Sequence, residues 1–312
     1  MITAYITHPD CMRHFMGPSH PESPKRLEAI RARLALSGVL THTMQSEAQP
    51  VKAQTLALAH CPQYLEMLES HAPQEGLSEL DGETHMNPDT LAAAGVAAGA
   101  VVRGVDQVFR HQADNVFCAV RPPGHHAERC SAMGFCFYNN VAIGVAHARQ
   151  RYGVERIAVL DFDVHQGNGT VDIFKDDPGV LVCSSFQSPF YPWRYQEGTW
   201  ANIINTPLSA GAGGNEFRRR VETQWFPALQ AFKPQLIMLS AGFDAHRDDP
   251  MAELKLDESD YFWITQLALD IARVYAEGRL VSVLEGGYHL DALGASVEAH
   301  LKALLGFPLG DP

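Results

Sequence analysis

The chain reads as a single α/β domain, residues 1–312, built on one open and mainly parallel sheet flanked by helices. Three observations carry that expectation. Short apolar, β-branched runs recur along the chain, and most are continuous rather than alternating, as strands buried on both faces are. Stretches of helical patterning stand between them. Polar or glycine-rich residues follow most of the runs, and open α/β sheets gather their ligands at the carboxyl ends of the strands.

In chain order, the runs Thr3–Ile6, Val116–Val120, Ile157–Leu160, Val180–Cys183, Leu236–Leu239 and Leu280–Leu284 predict strands. Helices are expected at about 89–110, 140–152, 214–232, 258–277 and 291–305. Asp89 and Asp257 stand where N-caps belong, and Gly153 and Gly278 where helices should stop. No internal repeat, low-complexity tract or linker divides the chain. Proline- and glycine-rich stretches at 9–24, 121–134, 187–198 and 206–214 read as long loops over one face, and loops of that length are commonly functional.

Composition narrows the function. Hydrophobic residues make 46% of the chain and charged residues 19%, which is globular usage. The net charge of -12 disfavours binding to phosphate backbones, so no nucleic-acid partner is expected. The apolar stretch Thr90–Val102 is too short to span a bilayer by itself. The first ten residues lack a basic segment followed by a long apolar one, so no membrane partner and a cytoplasmic location are expected. Six scattered cysteines without a C-x-x-C pair read as reduced thiols. Fifteen histidines direct attention to metal or acid–base chemistry.

The chemistry lies after the runs. Arg121-Pro-Pro-Gly-His125-His126 follows the second. Asp161-Phe-Asp163-Val-His165-Gln-Gly-Asn168 closes and follows the third. Ser184-Ser185, Ser240-Ala-Gly-Phe-Asp244-Ala-His246 and Glu285-Gly286-Gly287-Tyr288 follow the rest. Asp163 and His165 are two apart, so an extended segment turns both to one side. Asp244 can add a third ligand from another strand end. Zinc accepts two carboxylates and one imidazole while keeping a position for water, and iron(II) or manganese would accept them too. The tandem His125-His126 suits a general base with an electrostatic partner, the alternative being two surface loop residues. Asp161 is placed to orient one of them and Asn168 to hold the other neutral. A phenol at Tyr288 could donate to a developing oxyanion, and Gly286 and Gly287 let the backbone approach a ligand.

These motifs, with His20-Pro-Glu-Ser-Pro-Lys-Arg26 and Gly134-Phe-Cys-Phe-Tyr-Asn-Asn140, resemble the histone deacetylase superfamily, its class II branch in particular. They span almost the whole chain in family order. The resemblance implies an arginase/deacetylase fold with a parallel sheet of about eight strands. It implies Zn²⁺ on Asp163, His165 and Asp244, with Tyr288 polarising the amide carbonyl. His126 would serve as general base, and His125, paired with Asp161, as electrostatic support. It also implies a structural monovalent cation, K⁺, at Asp161, Asp163, His165, Ser184 and Ser185, and a second one at Phe174, Asp177 and Val180. Phe135 after Gly134 and Tyr191 would wall a tunnel for an alkyl stem, and Asp81 would orient substrate amides.

The expected partner is an acylated amine, either an acyl-lysine or a small molecule. Met251 stands where polyamine-selective relatives can carry a carboxylate, so an acetylpolyamine substrate comes second. A metal-binding module without activity and a two-manganese hydrolase of the arginase type are the rivals from other classes.

Overall fold

The computed structural model describes residues 1–310. In chain order the elements are β1 (Thr3–Thr7), α1 (Lys25–Leu36), β2 (Met44–Glu47), α2 (Ala53–Leu56), α3 (Pro62–His71), β3 (Ser78–Asp81), β4 (Thr84–Met86), α4 (Thr90–Phe109) and β5 (Asn115–Cys118). There follow α5 (Asn140–Tyr152), β6 (Ile157–Asp161), α6 (Asn168–Phe174), β7 (Val180–Gln187), β8 (Ile203–Leu208), α7 (Gly214–Phe232), β9 (Leu236–Ala241), α8 (Glu258–Tyr275), β10 (Leu280–Leu284) and α9 (Leu290–Leu305).

Among the described residues, eight strands form one sheet in the order β2-β1-β5-β10-β9-β6-β7-β8. Every neighbouring pair in it is parallel. The continuous apolar runs are its middle: β5, β6, β9 and β10 are buried at every position, which is why they show no alternation. Strand order decides where the chemistry meets. β10, β9 and β6 are consecutive neighbours, with Leu284 opposite Ala241 and Asp161 opposite both Ser240 and Ser184. The segments carrying Gly286, Asp244 and Asp163 therefore leave the sheet side by side.

The five expected helices form within about two residues of their expected ends. Asp257 caps α8 in a reciprocal box with Asp260, an arrangement worth about 1 kcal/mol. Gly153 ends α5 in the left-handed conformation. Asp89 does not cap α4 with its side chain; its carboxylate instead takes Arg13, 2.6 Å away. The apolar stretch expected to be too short for a membrane belongs to the 20-residue α4, long and apolar enough to cross one. Its apolar window is 72% buried, against α5, β5 and β10.

Strands β2 and β8, the β3–β4 hairpin and helices α1, α2, α3 and α6 were not among the expected elements, although Leu27, Ile30 and Leu34 of α1 recur at helical spacing and form its buried face. The outer strand β2 alternates half-buried and exposed residues, Met44-Gln-Ser-Glu47, without an apolar run. The cysteines need a correction. Cys61 and Cys130, 69 residues apart, form a disulfide pair, and Cys11, Cys118, Cys136 and Cys183 are the free thiols. Cys61 precedes α3, where its N–H donates to the Arg129 carbonyl at 2.9 Å, and this contact between two distant loops brings the sulfurs together.

Candidate active site and metal centre

Asp163, His165 and Asp244 converge as the residue pattern anticipates. Their ligand atoms lie within 4.8 Å of one another, and all three side chains are buried. His165 Nδ1 is 3.0 Å from Asp163 Oδ1 and 3.2 Å from Asp244 Oδ2. Backbone donors hold the carboxylates from behind: Val164 N–H on Asp244 Oδ1 at 2.9 Å and Gly286 N–H on Asp163 Oδ2 at 2.8 Å. Asp244 Oδ2 is left buried without a hydrogen bond. Burial and the neighbouring Asp163 charge push the Asp244 carboxyl up to about 7. Buried acids crowded this closely, one of them with an unpartnered oxygen, fit a divalent cation.

The histidine pair sits beside this cluster, with ring centroids 4.0 Å apart. His125 Nδ1 meets Asp161 Oδ2 at 3.0 Å. Burial opposes its charge, but the Asp163 and Asp161 carboxylates outweigh that and hold it well above the usual histidine range. His126 behaves oppositely. Burial, then the positive neighbours His125 and His165, hold it well below that range.

The tautomer of His126 follows from a residue the motifs did not mark. Glu128 can only accept, and its Oε1 lies 2.8 Å from Asn168 Nδ2. That fixes the Asn168 amide with Oδ1 toward His126, whose Nδ1 is 2.6 Å away. An amide oxygen also only accepts, so His126 Nδ1 carries the proton. Nε2 keeps the lone pair that a general base needs.

A narrow cavity of ≈ 160 Å³ leads to the cluster, lined by His126, His165, Phe135, Phe190, Tyr191, Met251 and Tyr288 among others. Gly134 takes φ +56°, and a Cβ there would fall 2.4 Å from His126 Cδ2, so the turn that presents Phe135 excludes a side chain. The Phe135 and Tyr288 rings meet edge to face at 6.1 Å, and Arg26 lies 4.9 Å over the Tyr288 ring. Asp249 Oδ2 accepts the Tyr288 N–H at 2.6 Å, while Arg26 Nε donates to the Gly287 carbonyl at 2.7 Å. The loop after β10 is thus held at both ends of its Gly287–Tyr288 step.

Asp81 does not face the cavity lining. Its Oδ1 accepts Glu83 N–H and Thr84 N–H at 3.1 and 2.6 Å, closing the β3–β4 turn. Glu83 lines the cavity instead, and its carboxylate, after burial, raises the Tyr191 phenol. Asp81 and Glu83 stand two residues apart in one turn, and only the turn geometry separates their roles. Ser184 Oγ, on the strand paired with Asp161, is buried without a partner, which suits a monovalent ion there. Ser185 is buried alongside it. His246 stands apart from the cluster, its Nδ1 accepting Asp248 N–H at 3.1 Å.

Residues 20–304 match the histone deacetylase domain. The chain belongs to the histone deacetylase family. This deacetylase-family chain is 39% identical to an uncharacterized protein of Synechocystis, over 97% of the chain and all of that protein. It is 35% identical to a probable deacetylase of Archaeoglobus fulgidus, covering 99% of the chain and 88% of that protein. A 34% identity to human polyamine deacetylase HDAC10 covers 99% of the chain but 49% of HDAC10. The HDA15 HD domain structure superposes with a TM-score of 0.92 at 32% identity, covering 100% of this histone deacetylase-family chain and 90% of the other. The arginase/deacetylase fold expected from the motifs is the fold observed.

Proposed function

We propose that this chain is a zinc-dependent amidohydrolase that removes acyl groups, chiefly acetyl, from an amine: a lysine side chain or a small molecule. One observation carries the reading. Beside a buried cluster of two carboxylates and one imidazole, the Glu128–Asn168 pair leaves His126 with a free Nε2, within a cavity that Tyr288 also lines.

Asp163, His165 and Asp244 would hold a divalent ion, which would supply Lewis acidity and lower the pKa of the attacking water to about 7. His126, held neutral, takes the proton from that water and later delivers it to the leaving amine. His125 and Asp161 supply a buried ion pair beside it. The Tyr288 hydroxyl donates to the oxygen of the scissile carbonyl, where charge develops. Phe135, Tyr191 and Met251 exclude water and grip the alkyl stem. A monovalent cation at Asp161 and Ser184, K⁺ by expectation, would offset the excess of buried carboxylate.

An acetylpolyamine is the second reading, favoured by Glu83. Outside the metal cluster and the histidine pair it is the one charged side chain among the lining residues, and a carboxylate there favours a cationic amine. The name of the human relative points the same way, whereas Met251 after Asp249-Pro250 does not.

The test is a substrate panel with the zinc-loaded enzyme: acetyl-lysine peptides, longer acyl-lysines and N-acetylpolyamines. Acetyl-lysine peptides should turn over, with about one zinc per chain. A kcat/KM about 10-fold higher for N-acetylpolyamines, lost in Glu83→Gln, would replace the first reading by the second. A metal-loaded enzyme inactive on the whole panel would point to the module without activity, and two manganese ions per chain to the arginase type.

A further inference from the structure

The second monovalent cation that the motifs imply would rest on the backbone oxygens of Phe174, Asp177 and Val180. Those oxygens do converge, but on a side chain of the protein itself. Asn202, just before β8 and 9% exposed, brings Nδ2 to 2.7 Å from the Phe174 oxygen, 3.0 Å from that of Asp177 and 2.9 Å from that of Val180. Carbonyl oxygens only accept, so the donor end of the amide must face them.

We propose that the Asn202 amide takes the place of the second monovalent cation, so that this chain has no cation site at that cradle. Three features support the exchange. First, the cradle is already largely satisfied: Asp177 N–H donates to the Phe174 oxygen at 2.9 Å and Val180 N–H to the Asp177 oxygen at 3.1 Å. The two amide hydrogens of Asn202 are shared over the three oxygens.

Second, the amide is delivered by the sheet. Val182 N–H donates to the Asn202 carbonyl at 2.9 Å, which anchors its backbone to β7 beside the cradle. Third, a cation could enter only by expelling the amide, which would leave a nearly buried NH₂ group to find other acceptors. The turn between α6 and β7 is therefore tied to β8 by a side chain of the chain itself. Its integrity should not depend on which monovalent salt is present.

Thallous ion reports K⁺ sites by anomalous scattering, whatever the activity of the enzyme. Crystals of the zinc-loaded protein grown in thallous acetate should show no anomalous peak among the oxygens of Phe174, Asp177 and Val180. A peak coordinated by them would overturn the proposal. In Asn202→Ala the cradle loses its donor. The variant should then show a Tm at least about 3 °C higher in KCl than in choline chloride, beyond any such difference in the wild type. The same salt response in both proteins would show that the amide does not stand in for a cation. If the variant does not fold, the wild-type thallium measurement decides alone.

Discussion

At the scale of single residues, the strongest constraint on chemistry is a hydrogen-bond direction. Glu128 orients Asn168, Asn168 orients His126, and a base nitrogen is left free. Tyr288 is placed from the other wall without its hydroxyl, since Phe135 and Arg26 pack on its ring and the Asp249 carboxylate accepts its backbone N–H. Tyr288→Phe should therefore keep the fold and the zinc while kcat falls about 10²–10³-fold, with KM little changed. Steady-state kinetics with metal analysis of the same sample check this, and full activity would remove the phenol from the mechanism. Asp163 and His165 were legible because Asp-x-Asp-x-His follows an apolar run directly, although residues 163–165 bend past the end of β6 rather than forming the extended segment expected. Glu128 and Glu83 were not, since nothing local distinguishes a carboxylate that aims at Asn168 or the cavity from one that closes a turn, as Asp81 does.

At the scale of elements, the site is made where four neighbouring strands, β5, β10, β9 and β6, end, and its precision comes from the loops after them. The Gly286 N–H donates to Asp163 Oδ2, and its Cα stands so near the ligands that a Cβ would fall 2.1 Å from Asp244 Oδ2 and 2.6 Å from Asp163 Oδ2. Neither carboxylate can retreat, because backbone donors hold both. Gly286→Ala should leave the secondary structure intact by circular dichroism and reduce bound zinc to below about a tenth of the wild-type amount after dialysis. Stoichiometric zinc in that variant would mean the ligands can shift after all. The central strands could be read from sequence because burial on both faces removes alternation. The outer strand β2 and the β3–β4 hairpin could not, since their pairing comes from neighbours rather than from their own apolar pattern.

At the scale of the molecule, some of the fifteen histidines touch the site, while others, His60 and His300 among them, are buried in the fold away from it. His300 is fully buried; Thr265 donates its hydroxyl to the Tyr261 carbonyl and accepts from His300 Nδ1, while Ser282 donates to Nε2. Burial lowers His300 to about 3 and His60 to about 4, both from 6.5. Between those values and pH 6.5 the unfolded chain binds protons that the folded chain refuses. Stability from each is complete above pH 6.5 and is lost as the pH falls, by about 2 kcal/mol apiece at pH 5. Glu285, raised to about 7 by burial, works the other way, since its folded form takes up a proton first on acidification. A single pH profile therefore mixes opposite slopes, and a difference between two proteins separates them. Urea unfolding of the wild type and of His300→Gln at pH 7 and pH 5 should show the variant losing about 2 kcal/mol less over that interval. Equal losses would mean that His300 takes a proton without unfolding, and the acid sensitivity would then have to lie with other buried histidines such as His60.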